Sequence, residues 1–283
     1  MQLIANGIIL GCIIALGSIG LSLLYGILKF GNFAHGDMMT LGAYFAFLFK
    51  GQLGLPMWLS FIAAMVFTAL TSILIDRIIY SALRKRDSVT LLISSVGVAL
   101  ILRNLIQLIW GPQNYFYERG IQMPIDLGFG VKIKPTQIFI LVITVVLVIL
   151  AHLFLTKTKI GKAMRAMSDN MDLARVTGIN TERVIAWTWG LGACLIAAAG
   201  ILLGMDTHLS PSMGWHLLLP LFAATILGGI GSPYGAMLGG LVIGISQELS
   251  TLIIPPTYKP GVAFVIMLFM LLVKPTGLMG RSV

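Results

Sequence analysis

The feature that most limits the fold of this chain is a series of long stretches without charged side chains. Eight stretches contain no Asp, Glu, Lys or Arg, namely 1–28, 38–49, 57–75, 88–102, 135–156, 184–205, 207–247 and 260–273. A helix of about 20 apolar residues crosses the roughly 30 Å hydrocarbon core of a bilayer, and several of these stretches reach that length. The chain is therefore expected to lie in lipid.

Composition and glycine placement refine this expectation into a fold class. The chain is 58% hydrophobic and 10% charged, whereas an ordinary soluble domain is about 25% charged. The stretch 207–247 is too long for one span, and the glycines and proline of "LGGIGSPYG" at 227–235 divide it. The sequence thus predicts an all-α, polytopic membrane bundle of about eight or nine segments, including short or broken helices. The 283 residues are expected to form one membrane domain, because the spans leave no room for a soluble one.

Two basic clusters indicate the orientation of the bundle. They are "LRKRD" at 83–87 and the segment 157–183, which holds six of the nineteen Lys and Arg. Short cytoplasmic loops retain Lys and Arg, so both clusters are predicted to be cytoplasmic, with the loop 111–134 outside. This places the N-terminus outside and the C-terminus in the cytoplasm. The net charge of +9 is read as a topology signal, and no nucleic-acid partner is expected.

The sequence lacks the motifs of common catalytic and metal sites. Gly161 and Lys162 are followed by Ala163, and Thr156 stands where a phosphate-binding loop needs a glycine. The four histidines, at 35, 152, 208 and 216, have no metal-ligand spacing, and both cysteines lie inside predicted spans. No catalytic residue, metal or cofactor is expected, and transport is favoured over enzymatic activity.

Two glycine-containing breaks carry polar residues and are predicted to border a translocation route. They are "KFGNFAHGD" at 29–37 and "LGGIGSPYG" at 227–235. Unwound backbone at membrane depth is tolerated where it is buried in protein or lines a watery cavity. An ordinary tight loop at the membrane surface is the alternative for each break. The candidate route residues are Asn32, His35, Gly36, Asp37, Gly228, Gly229 and Gly231.

A few ionisable residues fall within or near the spans. Asp76, Arg77 and His152 lie near predicted helix ends, where such side chains reach toward the interface. Arg103 and Glu248 lie deeper and have opposite charges. The sequence leaves open whether these two form a pair, and a structural role is favoured for both.

The basic segment 157–183 is amphipathic. Ile160, Met164, Met167, Met171 and Ala174 recur at helical spacing and form one apolar stripe, and Gly178 is expected to end the helix. Two short helices broken at 168–170 are the alternative, because Ser and Asn favour helix caps. The segment is expected either to rest on anionic lipid or to bind a protein partner through its methionine stripe.

Five motifs in order along the chain resemble one family. They are "NFAHGDMMTLGAY" at 32–44, "LISSVG" at 92–97, "GKAMRAMSDNMDLARVTGIN" at 161–180, "LGGIGSPYGAMLGGLVIGI" at 227–245 and "PTGLMGR" at 275–281. The chain resembles the permease subunit of branched-chain amino acid ABC importers, although Asp37 replaces the more common glutamate. The resemblance implies that the cytoplasmic segment couples to an ATPase. The implied coupling residues are Gly161, Ala163, Arg165, Ala166, Asn170, Ala174, Gly178 and Ile179, to which the apolar stripe adds Met164 and Met167.

The resemblance also implies partners and a location. A second homologous permease subunit, two cytoplasmic ATPase subunits and an extracytoplasmic substrate-binding protein are expected, with this chain in the lipid bilayer of the inner membrane. The chain is similar too to permeases for urea, short amides and broader sets of neutral amino acids. An importer of urea or short amides is therefore one alternative, and a stand-alone channel or secondary transporter is another.

Overall fold

The computed structural model describes residues 1–84, 86–117, 123–126 and 131–280, and nearly all of its regular structure is helical. The helices are α1 Gln2–Leu28, α2 Ala34–Gly51, α3 Met57–Ile75, α4 Ser81–Leu83, α5 Ser88–Trp110, α6 Pro135–Lys157, α7 Lys159–Asp169, α8 Met171–Val176, α9 Thr181–Asp206, α10 Met213–Gly228, α11 Pro233–Ser250 and α12 Lys259–Val273. A π-helical turn, Asp76–Tyr80, joins α3 to α4, and a 3-10 turn, Pro256–Tyr258, precedes α12. Strands β1 (Ile125–Asp126) and β2 (Lys132–Ile133) pair antiparallel in the connection between α5 and α6.

This arrangement confirms the predicted all-α membrane bundle. Six helices within the described ranges are long and apolar enough to cross a membrane. Helix α10 is apolar but has only 16 residues, and α2 and α11 have 18 each. The prediction of eight or nine segments corresponds to the six long helices together with these shorter ones.

Helices α1 and α11 pack against each other almost backbone to backbone. A Cβ atom added at Gly244 would lie 2.3 Å from the Cα atom of Gly11, and one added at Gly7 would lie 2.8 Å from the Cα atom of Ile245. Gly240 makes a similar approach to Ala15. Small residues allow membrane helices to come this close, and the contact gains van der Waals energy along the full helix face. Helix α1 is buried along most of its length, and α11 packs one face against it.

The peripheral helices turn large apolar side chains outward. Phe67 on α3, Val145 on α6 and Leu272 on α12 are 48%, 56% and 85% exposed. Lipid tails solvate such side chains as well as a protein core does, so these faces suit a bilayer. By contrast, the residues of α2 from Ala34 to Tyr44 are all buried, which places that helix inside the bundle.

The two basic clusters lie at one end of the bundle, here called the basic end and marked by Lys29, Arg84 and Ser168. Lys29 Nζ donates a hydrogen bond to the Ser168 carbonyl (3.3 Å), and Arg84 Nη1 donates to Glu182 Oε2 (2.6 Å). At the opposite end, Gln2 Nε2 donates to the carbonyl of Lys132 (2.9 Å), which joins the start of α1 to the 111–134 connection. Of the segments used in the charge argument, Lys85 and residues 118–122 and 127–130 of the 111–134 loop lie outside the described ranges.

Candidate functional site

The first glycine break is an interrupted helix deep in the bundle. Helix α1 ends at Leu28, and α2 begins only at Ala34, whose amide donates to Asn32 Oδ1 (3.0 Å). His35 Nε2 donates to the carbonyl of Gly17 (3.1 Å). Gly17 lies eleven residues before the end of α1, which is about 16 Å of helix. The chain therefore re-enters the bundle after α1, and α2 starts near mid-span instead of at the surface.

The start of α2 also crosses the start of α10. A Cβ atom added at Gly214 would lie 1.8 Å from the Gly36 carbonyl oxygen, and one at Gly36 would lie 2.6 Å from the Gly214 carbonyl oxygen. Thr40 Oγ1 accepts a hydrogen bond from the Gly214 amide (3.0 Å). The backbone of α10 thus occupies the space where a side chain at Gly36 would lie. The absence of a side chain at this position allows the close crossing.

Asp37 forms an ion pair with Arg103, which the sequence did not predict. Arg103 Nε and Nη2 donate to Asp37 Oδ1 and Oδ2, each at 3.0 Å, and the Asp37 side chain is fully buried. The indole ring of Trp215 lies 4.5 Å from the guanidinium carbon of Arg103. The sequence left open whether Arg103 pairs with Glu248, and in the structure Glu248 pairs with Lys259 instead. The candidate route residue Asp37 is therefore coupled to α5 and α10.

One face of α5 differs from the other exposed spans. Its exposed residues include Asn104 and Gln107 among leucine and isoleucine, and nothing lies within 4 Å of a Cβ atom added at Gly97. The described hydrogen bond of the Asn104 side-chain amide is local: Nδ2 donates to the carbonyl of Leu100 (2.7 Å), one turn earlier in α5. Polar side chains within a span usually face a bundle interior or a watery cavity. This face, defined by Gly97, Arg103, Asn104 and Gln107, is called the α5 polar face below.

The second glycine break lies at the basic end, away from the first. A Cβ atom added at Gly229 would lie 2.3 Å from the amide nitrogen of Gly280, and one at Gly228 would lie 2.1 Å from the carbonyl carbon of Gly235. Gly231 approaches Gly26 at the end of α1. These glycines close the turn between α10 and α11 and hold the segment that follows α12. Because α10 spans about 24 Å, the two predicted groups of route residues do not form one site.

The basic segment forms two helices joined at Asn170. Asn170 has extended backbone angles (φ −156°, ψ 108°), ends α7 and caps α8 by accepting a hydrogen bond from the Leu173 amide (2.9 Å). The alternative of two short helices is correct, and the single continuous helix is wrong. Gly178 has a φ of 87°, which confirms that it ends α8 through the left-handed conformation that glycine favours.

The methionine stripe is buried inside this chain. Met164, Met167 and Ala174 are 2%, 1% and 4% exposed and belong to the hydrophobic core. A Cβ atom added at Gly161 would lie 2.5 Å from the Cα atom of Leu155. The expectation that Met164 and Met167 fill a groove on another protein is therefore wrong, because both side chains already fix α7 to the bundle.

Other residues of the segment are available to a partner. Of the predicted coupling residues, Arg165, Ala166, Asn170 and Gly178 are exposed, whereas Ala163 and Ile179 are half-buried. Leu173 and Val176 are 63% and 85% exposed, and the sequence interpretation missed both. Their signal was present, since they are apolar and lie three residues apart on the face opposite the stripe.

The π-helical turn at the basic end holds a buried ion pair and contacts the chain that leads into α2. The side chain of Asp76 is buried and accepts a hydrogen bond from Arg84, so the expectation that Asp76 reaches toward the interface is wrong. Beside it, the ring of Tyr80 stacks on Trp189 with centroids 5.1 Å apart. Tyr80 Oη donates to Asn32 Oδ1 (3.4 Å). The π-helical turn therefore contacts the re-entering chain directly.

The comparisons with known proteins identify the family. Residues 3–271 match the model described as "Branched-chain amino acid transport system / permease component". The LivH permease of the high-affinity branched-chain amino acid transport system of Escherichia coli K12 is 34% identical over 294 residues, covering 99% of this chain and 96% of its own. LivH of Salmonella typhimurium is 33% identical with the same coverage, and BraD of Pseudomonas aeruginosa is 34% identical over 298 residues, again covering 99% and 96%.

Among solved structures, PsaBC from Streptococcus pneumoniae in complex with Fab has a similar fold. The TM-score is 0.55 at 16% sequence identity, over 98% of this chain and 93% of that one. This likeness concerns the fold alone, and it agrees with a helical membrane bundle. From the family model and the relatives together, the chain belongs to the family of permease components of branched-chain amino acid transport systems.

Proposed function

We propose that residues 1–283 form the membrane permease domain of a binding-protein-dependent ABC importer that carries branched-chain or other neutral amino acids. ATP is hydrolysed on two separate cytoplasmic subunits, and a second homologous permease completes the route. An extracytoplasmic binding protein delivers the substrate. The substrate class is supported by relatives that match over almost the whole chain and are named for branched-chain amino acid transport.

One observation supports the coupling role most directly. Leu173 and Val176 protrude from a surface of Lys, Arg and Asp side chains at the basic end, and α7 below them is fixed by Met164 and Met167. Ser168 Oγ also donates to the carbonyl of Gly26 (3.3 Å) near the end of α1. A partner that pushes on this surface therefore moves a rigid segment joined to the spans. We assign the ATPase contact to the coupling face, made of Arg165, Ala166, Asn170, Leu173 and Val176.

The route is assigned to the first break. The start of α2, with Asn32, His35 and Asp37, places polar groups near mid-span, and the α5 polar face extends them toward the subunit surface. Gly36 keeps α10 close to this point. Gly228, Gly229 and Gly231 shape the end of the route at the basic end. The basic end is cytoplasmic, which puts the N-terminus outside and the C-terminus inside.

Reconstitution of the complete complex in proteoliposomes tests this function. The chain is co-expressed with the neighbouring permease, ATPase and binding-protein subunits, and uptake of radiolabelled leucine and urea is measured with ATP or a non-hydrolysable analogue inside. We expect leucine uptake that needs both hydrolysable ATP and the binding protein. Uptake of urea alone would support the short-amide alternative. Leucine uptake by this chain alone would indicate a channel or secondary transporter and contradict the proposal.

A further inference from the structure

Asp37 and Arg103 form an ion pair within a membrane span. Arg103 lies fifteen residues after the start of α5 and seven before its end, which corresponds to about 22 Å and 10 Å of helix. Charged groups at such depth are costly to insert and in most membrane proteins mark a route for ions or substrates. A solely structural pair is the competing explanation, because a bidentate contact also ties α2 to α5.

The geometry of the pair leaves one side open. Asp37 is fully buried, whereas the Arg103 side chain is 18% exposed and Trp215 is 40% exposed. The described hydrogen bonds of the guanidinium use Nε and Nη2, which leaves Nη1 for another acceptor. The Trp215 ring holds the guanidinium from one face by a cation–π contact. Arg103 is thus held in place even when its contact with a carboxylate changes.

The surroundings of the pair are polar on the exposed side. Asn104 follows Arg103 directly and Gln107 lies one turn further along α5, and both are exposed. Exposed faces of α3, α6 and α12 carry large apolar side chains instead, such as Phe67, Val145 and Leu272. The ion pair therefore borders an exposed polar surface on α5, which is suited to water and substrate.

We infer that the Asp37–Arg103 pair binds the main-chain charges of an α-amino acid in transit. The carboxylate of the amino acid is bound by the Arg103 guanidinium, and its ammonium group by the Asp37 carboxylate. This inference rests on the proposed importer function and names the ligand chemistry at its route. A zwitterion supplies one partner for each charge, so the site stays neutral throughout. A singly charged ligand leaves one charge uncompensated, and urea supplies neither.

A charge-neutral double variant separates this role from a structural one. In Asp37→Asn or Arg103→Gln alone, a buried charge loses its partner, and either role predicts loss of assembly or uptake. In the double variant Asp37→Asn/Arg103→Gln both charges are absent, so the fold has no uncompensated charge. The matched control is Glu248→Gln/Lys259→Gln, which neutralises the ion pair between the end of α11 and the start of α12. Leucine uptake, complex assembly and ATP hydrolysis stimulated by the loaded binding protein are measured for each.

We expect the Asp37→Asn/Arg103→Gln complex to assemble and to keep stimulated ATP hydrolysis, with leucine uptake at least about 10-fold below the control variant. Uptake equal to the control would overturn the inference and leave the pair a structural link. If the double variant fails to assemble, Arg103→Lys decides, because it retains the charge but loses the bidentate geometry. Assembled Arg103→Lys complex with unchanged Km and rate would also refute the inference. Absence of leucine uptake in the unaltered complex would instead refute the proposed function.

Discussion

Truncation of the coupling face gives a quantitative test of what the basic segment contacts. In the double variant Leu173→Ala/Val176→Ala, three and two carbon atoms are removed from side chains that are 63% and 85% exposed. Burial of each removed carbon group is worth about 0.8 kcal/mol, and scaling by the exposed fractions gives a loss of about 1.5 kcal/mol at Leu173 and about 1.4 kcal/mol at Val176 for a partner that covers both. The sum of about 3 kcal/mol corresponds to an approximately 100-fold weaker Kd for the ATPase.

Titration of purified ATPase onto permease complexes in nanodiscs measures this Kd. Asp172→Ala, an exposed charge on the same segment, is the matched control and is expected to change the Kd by less than about fivefold. Met164→Ala creates a cavity in the core and is expected to lower the yield of folded permease, at a cost of about 2–5 kcal/mol. If the double variant binds the ATPase with unaltered Kd, the coupling face lies elsewhere, and α8 contacts only water or lipid headgroups.

Three further experiments test packing, charge and orientation. Gly214→Ala places a Cβ atom 1.8 Å from an α2 carbonyl oxygen and should lower the melting temperature of the detergent-solubilised complex, whereas Gly97→Ala, which meets open space, should not. Arg84→Gln leaves a buried carboxylate unpaired and should destabilise the subunit by about 3–5 kcal/mol, seen as a lower yield of folded protein after heating. In intact cells of a cysteine-free background, an impermeant thiol reagent should label a cysteine at Met123, which is 84% exposed, and spare one at Asp172; the reverse pattern would contradict the orientation.

The sequence predicts the helical fold well because its strongest signal, the long apolar stretches, indicates that the chain lies in lipid. Long apolar stretches require helices in lipid, whichever neighbours they have. Helix interruptions were also predictable, since glycine and proline act locally, as Gly178 shows with its φ of 87°. Local signals do not report which helices meet. The charges on Arg103 and Glu248 are visible in the sequence, but their partners, Asp37 and Lys259, are fixed only by the packing of separate helices.

The basic segment shows a different limit of sequence reasoning. Its apolar stripe was predicted to contact lipid or a protein partner, because amphipathic periodicity does not distinguish packing on the chain's own core from packing on a partner. Met164 and Met167 face the core, whereas Leu173 and Val176 are exposed on the opposite side. An apolar pair on the polar face of an amphipathic helix is the signal that would have identified the available contact.

The glycine contact between α1 and α11 also limits how the subunit moves. At Gly7, Gly11 and Gly244 the two backbones lie too close for a Cβ atom to pass between them. Any sliding along the contact would bring branched side chains, such as Ile245, against the facing backbone. The two helices are therefore expected to move together as one rigid unit. We therefore expect the proposed route to open by movement of the other helices around the α1–α11 pair.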